Sequence, residues 1–124
     1  MKSCLIANCK PSRGYMFELG KSNWSARSLG RHQPEIGCGV LGKVSGLGIV
    51  AVGRVRGEAY PDKKWKALLP IEWTRFSLER PLPVRVLKAL GIDLPQWGFR
   101  GDMVRIDPRD GERIRRIFEA NLYQ

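Results

Sequence analysis

The chain has 124 residues, 43% of them hydrophobic and four of them tryptophan, which suits a single domain over residues 1–124 with one core and excludes wholesale disorder. Lysine and arginine number 22 against 12 acidic residues, and a net charge of +10 is costly in self-repulsion unless a polyanionic partner, nucleic acid above all, offsets it. Three cysteines (Cys4, Cys9, Cys38) and a single His32 argue against a disulfide framework, a zinc site or any other metal centre, and nothing points to a cofactor. The longest early apolar run, Cys4 to Ala7, is too short for a signal peptide or a membrane span, so the expected setting is cytoplasmic, with reduced thiols and no membrane partner.

Ser3 to Asn8 reads as a short apolar strand ended by the turn cluster Lys10 to Gly14. Tyr15 to Gly20 has no clear periodicity and is open between a helical turn and a loop. Asn23 to Leu29 follows, then the polar connection Gly30 to Pro34. Ile36 to Lys43 is a Gly-rich strand, and Ser45 to Gly48 turns it into an antiparallel hairpin. In the next strand Ile49, Ala51, Gly53 and Val55 alternate with Val50, Val52, Arg54 and Arg56. One face is small and apolar, and the other turns cationic before the loop of Tyr60, Pro61 and Asp62.

Ala67 to Phe76 is a strand with Leu69, Ile71 and Trp73 on its core side, and Pro70 suggests an edge or a bulge. Pro83 to Leu90 is a short helix with Pro at its start and Gly91 past its end. Phe99 to Ile106 is a last strand. Asp107 and Pro108 then start a helix to Leu122, with Asp110 and Glu112 in its first turn. Its buried stripe is Ile114, Ile117 and Phe118, and its Arg109, Arg113 and Arg116 read as a solvated face. The order predicts an α+β domain: a small barrel with short flanking helices.

The segments from Asn23 to Leu29, Gly48 to Asp62 and Trp97 to Ile106 together resemble the EVE domain, a branch of the PUA-like superfamily related to the YTH readers of methylated adenine. Asn23-Trp24-Ser25-Ala26-Arg27-Ser28-Leu29 is similar to the family's Asn–aromatic–x–Ala–Arg segment. Gly48 to Asp62 is similar to its strand ending Glu-x-Tyr-x-Asp, and Trp97 to Ile106 to its closing strand. The segment Gly37-Cys38-Gly39-Val40-Leu41-Gly42 departs from the family pattern, and an aromatic that lines the pocket floor in the family is missing there. The resemblance implies a PUA-like pseudo-β-barrel with a pocket for one extruded base, used in methylation-dependent restriction systems to sense a modified base. It implies no catalysis. The implied partner is nucleic acid, DNA favoured over RNA, with an effector protein supplied by another chain as a further partner.

Such a reader attracts phosphates, unstacks one base and senses a methyl group on it. Trp24 is the first candidate pocket wall, against a rim Trp covering one barrel end. Asn23 and Ser25 would hydrogen-bond the base edge, against a helix cap. Tyr60 is the second wall or an edge donor, against a turn aromatic packing on Trp65. Asp62 would accept from an exocyclic amine, against a turn role. Trp97 would close the pocket. Arg27, Arg31, Arg54, Arg56 and Arg100 are the candidate phosphate contacts. Trp73 is expected in the core. An enzyme is not expected, because one His and scattered carboxylates supply no nucleophile–base pair. An RNA-binding PUA-like domain without modified-base selectivity, or a structural subunit using its basic helix for assembly, are the alternatives.

Overall fold

The structure, a computed structural model, describes residues 4–12, 17, 20–26, 29, 34–64, 66–92 and 103–122. Its elements are β1 (Cys4–Cys9), β2 (Lys21–Ser25), β3 (Gly39–Val44), β4 (Gly48–Val55), β5 (Tyr60–Asp62), β6 (Lys66–Phe76), α1 (Val84–Ala89), β7 (Met103–Ile106) and α2 (Pro108–Leu122). The strands form one mixed sheet in the order β2-β6-β4-β3-β1-β7, with β5 paired to the start of β6. β1 and β3 run parallel, and the other pairs are antiparallel. Trp24 of β2 and Met103 of β7 stand at opposite ends of this order yet share one buried cluster, so the sheet curls into a half-barrel. A second cluster on the convex side carries Ile114 and Phe118 of α2 and Leu87 of α1. The class is α+β, as the sequence indicates.

Both helices follow from their ends. Pro83 precedes α1 with φ −65°, and Gly91 beyond it takes φ 85°, a left-handed conformation that favours glycine. At α2, the Arg109 amide donates to the Asp107 carboxylate at 2.8 Å, a bond that holds Asp107 below the usual carboxylate range. Gly111 lets α2 approach β1 closely, because a Cβ there would strike the Cys4 side chain.

Two bulges decide which residues face inward. Between β3 and β4, Ala51 opposes Gly42 and Ile49 opposes Lys43, leaving Val50 unopposed. Strict alternation from Ile49 to Val55 therefore fails: Ile49 joins Val52 under the helices, while Val50, Ala51 and Val55 line the concave core. Between β4 and β6 the extra residue is Thr74, whose hydroxyl donates to the Val52 carbonyl at 3.1 Å. Pro70 lies at neither an edge nor a bulge. It sits in β6 where β4 ends, at Val55 opposite Ile71, and before β5 begins, at Tyr60 opposite Leu68. On that side its missing N–H falls in a gap between partners, and its carbonyl accepts from Arg56 N at 3.0 Å.

Within the concave core, Phe17 stacks on Trp24 with centroids 5.2 Å apart and meets Trp73 edge-on at 4.8 Å. Gly42 makes room for the Phe17 ring, since a Cβ on it would collide with that ring and with Ala51. The polar ends of both indoles converge on one hydroxyl: Trp24 Nε1 donates to Ser22 Oγ at 2.6 Å and Trp73 Nε1 at 2.8 Å. Ser22 is only 7% exposed, and its two accepted bonds satisfy two buried donors at once. Ser22→Ala strands both, at about 1–3 kcal/mol for each unsatisfied group. Urea unfolding is expected to show a loss of stability of that order with a shifted tryptophan emission; an unchanged midpoint would contradict the role.

Candidate nucleic-acid interface

The pairing of β2 with β6 sorts the candidate residues between the two sheet faces. Directly opposed residues share a face, and successive residues alternate. Ser22 opposes Ile71 and Trp24 opposes Leu69, and all four are buried in the concave core. Lys21, Asn23 and Ser25 therefore point the other way, together with Glu72, Pro70 and Leu68. The partners on the far side of β6 extend three rows across the convex face. Arg54 opposes Glu72, Arg56 is hydrogen-bonded to Pro70, and Tyr60 opposes Leu68. The rows are thus Lys21–Glu72–Arg54, Asn23–Pro70–Arg56 and Ser25–Leu68–Tyr60.

The structure brings together Asn23, Tyr60, Arg54 and Arg56 on this face. Tyr60 is 41% exposed, an outward aromatic ring at the head of its strand rather than part of a loop. Arg54 grips Glu72 through Nε and Nη2 at 3.1 and 2.9 Å while its side chain stays 62% exposed. Such a pair adds little stability in water but holds the guanidinium over the sheet. Arg56 and Asn23 are exposed and make no side-chain bond among the described residues. The Thr74 bulge keeps Arg75, opposite Val52, on the same face as Arg54.

Trp24 requires a correction. It is 5% exposed and enclosed by Phe17, Trp73 and Ser22, so it is a core residue and not an open pocket wall. The physical reason is its register opposite Leu69, on the concave side. Ser25 belongs to the outer rows but is buried, so it offers no surface contact. The Asp62 carboxylate accepts from Lys64 N at 3.0 Å, which gives it the turn role. Trp97, Arg27, Arg31 and Arg100 lie outside the described residues, as do Trp65 and His32. Sequence reasoning missed Lys21 and Arg75 as members of this face. The available signal was the Arg54–Glu72 pairing of opposite charges on neighbouring strands.

No protein-family model and no curated protein matches this chain. Solved structures similar in fold include the following three. A hypothetical protein from Leishmania major is 15% identical with a TM-score of 0.76, over 98% of each chain. Rpa0253 from Rhodopseudomonas palustris, an NMR structure, is 16% identical with a TM-score of 0.71, over 95% of this chain and 94% of its own. Atu2648 from Agrobacterium tumefaciens is 13% identical with a TM-score of 0.65, over 94% of this chain and 92% of its own. At these identities the likeness concerns the fold alone. No described helix is long and apolar enough to cross a membrane.

Two buried titratable groups underlie the convex side. Burial, reinforced by the neighbouring Cys38, pushes the Cys4 thiol up to about 12, so near neutral pH it is an unreactive thiol. Lys43, also buried, donates to Asn8 Oδ1 at 3.3 Å, and burial lowers its pKa from 10.5. Above the ordinary thiol value of 9.0 the unfolded chain releases the Cys4 proton first, so stability falls as pH rises toward about 12. Lys43 has the opposite sign: its folded form releases the proton first, and stability recovers as pH approaches 10.5. Urea unfolding across alkaline pH is expected to show a shallower decline in Cys4→Ala than in the parent and a steeper one in Lys43→Met. Parallel profiles for all three proteins would contradict these assignments.

Proposed function

We propose that this chain is a nucleic-acid-binding module with a PUA-like, EVE-type fold, acting by recognition and not by catalysis. The observation that carries the reading is the convex face itself. It presents an exposed tyrosine ring beside Pro70 and Leu68, flanked by Lys21, Arg54, Arg56 and Arg75, on a chain with net charge +10. An aromatic platform among cations suits a nucleic-acid strand: the cations meet phosphates and release counterions, and the ring stacks on a base. The curled sheet with two helices supports the fold assignment, as do the three EVE-like segments. Non-catalytic action is supported by the chemistry of the groups present, since Glu72 and Glu112 are tied to arginines and the Cys4 thiol is held protonated.

DNA is the first partner proposed and RNA the alternative, with an effector protein from another chain completing the action. The more specific form of the reading adds selection of a modified base. It is favoured by the EVE-like segments, and since Phe17, Trp24 and Trp73 are buried against one another, the exposed Tyr60 ring is where such a base would stack.

The test is titration of labelled single strands and duplexes of DNA and RNA, with and without methylated adenine or cytosine, at two salt concentrations. Salt-dependent binding is expected, with Tyr60→Ala weaker by about tenfold, in keeping with ~1–3 kcal/mol for one stacked base. A methylation-dependent gain removed by Tyr60→Ala would support the modified-base form. Absence of binding to every strand would overturn the proposal.

A further inference from the structure

Between α2 and the β3–β4 strands runs a trough of about 460 Å³, with Gly39 and Val52 among the residues of its floor and Glu112, Arg115 and Arg116 along its α2 wall. It lies on the convex face and not at the aromatic core. It also continues the outer rows directly: Gly39 opposes Arg54 on one side and Cys4 on the other, extending Lys21–Glu72–Arg54 toward α2. The helix that covers Cys4 through Gly111 leaves Gly39 partly exposed beside the buried Val52 and Leu41.

Gly39 is the unexpected part of this floor. Other glycines here are demanded by packing: a Cβ on Gly53 would collide with the Glu72 carbonyl, and one on Gly111 with Cys4. A Cβ on Gly39 would meet only Cys4 Sγ, at an ordinary 3.8 Å, and its φ is not in the left-handed region. Glycine in a strand weakens it, so the fold alone gives no reason for one at this position. What its absent side chain does provide is an open floor, where another backbone can come close.

The α2 wall is cationic and only partly neutralised. Arg115 is engaged by Glu112 and Glu119, and its hydrogen bond is the main cause that holds Glu112 below the usual carboxylate range. Arg116 gives only Nε to Glu112, at 3.2 Å, and is 76% exposed, which leaves both terminal nitrogens available among the described residues. Arg75, opposite the floor residue Val52, adds a cation on the sheet side.

We propose that this trough seats the sugar–phosphate backbone of the bound nucleic-acid strand, with Gly39 as the point of close approach and Arg116 as a phosphate contact. The inference rests on the nucleic-acid reading above. It gives the helix arginines a role beyond a solvated face, and it defines a track from Tyr60 across Arg54 to α2. An open, fold-neutral glycine beside a guanidinium with free donors suits a phosphodiester, which needs both room and charge.

The test uses a fluorescein-labelled DNA single strand, the matching duplex and labelled polyglutamate, with the parent chain, Gly39→Val, Arg116→Gln and Tyr60→Ala. Thermal melts control for folding, and Gly39→Val is expected to melt no lower than the parent, since valine suits a strand. Gly39→Val is expected to weaken nucleic-acid binding about tenfold, and Arg116→Gln to lower the salt slope by about 1. If Gly39→Val unfolds, the Arg116→Gln slope alone decides. If Tyr60→Ala weakens binding while both trough variants bind like the parent, the trough is refuted and the nucleic-acid reading stands. If the parent binds no nucleic acid, the reading itself fails. Polyglutamate bound in a Gly39-dependent way, with nucleic-acid affinity indifferent to Gly39, would assign the trough to an acidic peptide and overturn the inference.

Discussion

The arrangement depends on the register between β2 and β6, and that register is pinned by one hydroxyl. Ser22 accepts from the indoles of Trp24 and Trp73, one two residues away in the same strand and the other across the sheet. Slipping β2 by one residue would turn Ser22 and Trp24 outward, strand the Trp73 donor and carry Lys21, Asn23 and Ser25 into the core. The same constraint that seals the aromatic cluster therefore turns Asn23 outward, in line with Tyr60 and Arg54. Interior and exterior are two consequences of one pairing.

The functional reading follows from this separation. A cage of tryptophans is the natural guess for a base reader, and the three rings are present, but they are occupied with one another. The convex face has what an elongated polyanion needs: cations, one exposed ring, and a partly exposed Gly39 where α2 meets the sheet. Glu72 and Glu112 do not cancel this face. They hold Arg54 and Arg115 in place, while Arg116, Arg75 and Lys21 remain outward. Pairing of this kind orders guanidinium groups in advance, which lowers the entropy lost when a phosphate binds.

Much of the fold was legible because local chemistry and tertiary structure agree. Pro83 and Gly91 bracket α1, Asp107 opens α2, and Leu69, Ile71 and Trp73 alternate along β6 as a half-buried strand should. The strand β2 was not legible. In Lys-Ser-Asn-Trp-Ser an inward position is filled by a serine, whose acceptance from two indoles depends on Trp73, far along the chain. The Val50 bulge was hidden for a different reason: Ile49 to Val52 are all apolar, so no pattern reveals which one is extra. Of the candidate site, the cations and Tyr60 could be picked from the sequence, but the inward turn of Trp24 could not, because a Trp between two polar residues suits either face. The glycine at Gly42 in β3 also acquires a reason, since it leaves the space that Phe17 fills.

The most direct test of this division between a sealed interior and a binding exterior is chemical-shift mapping while a short DNA strand is added. The account predicts that signals of Tyr60, Asn23 and Arg54 move together, while the indole N–H signals of Trp24 and Trp73 hold their positions and stay slow to exchange with water. Movement or rapid exchange of the two indole signals, with Tyr60 unperturbed, would contradict it and move the binding site into the aromatic core.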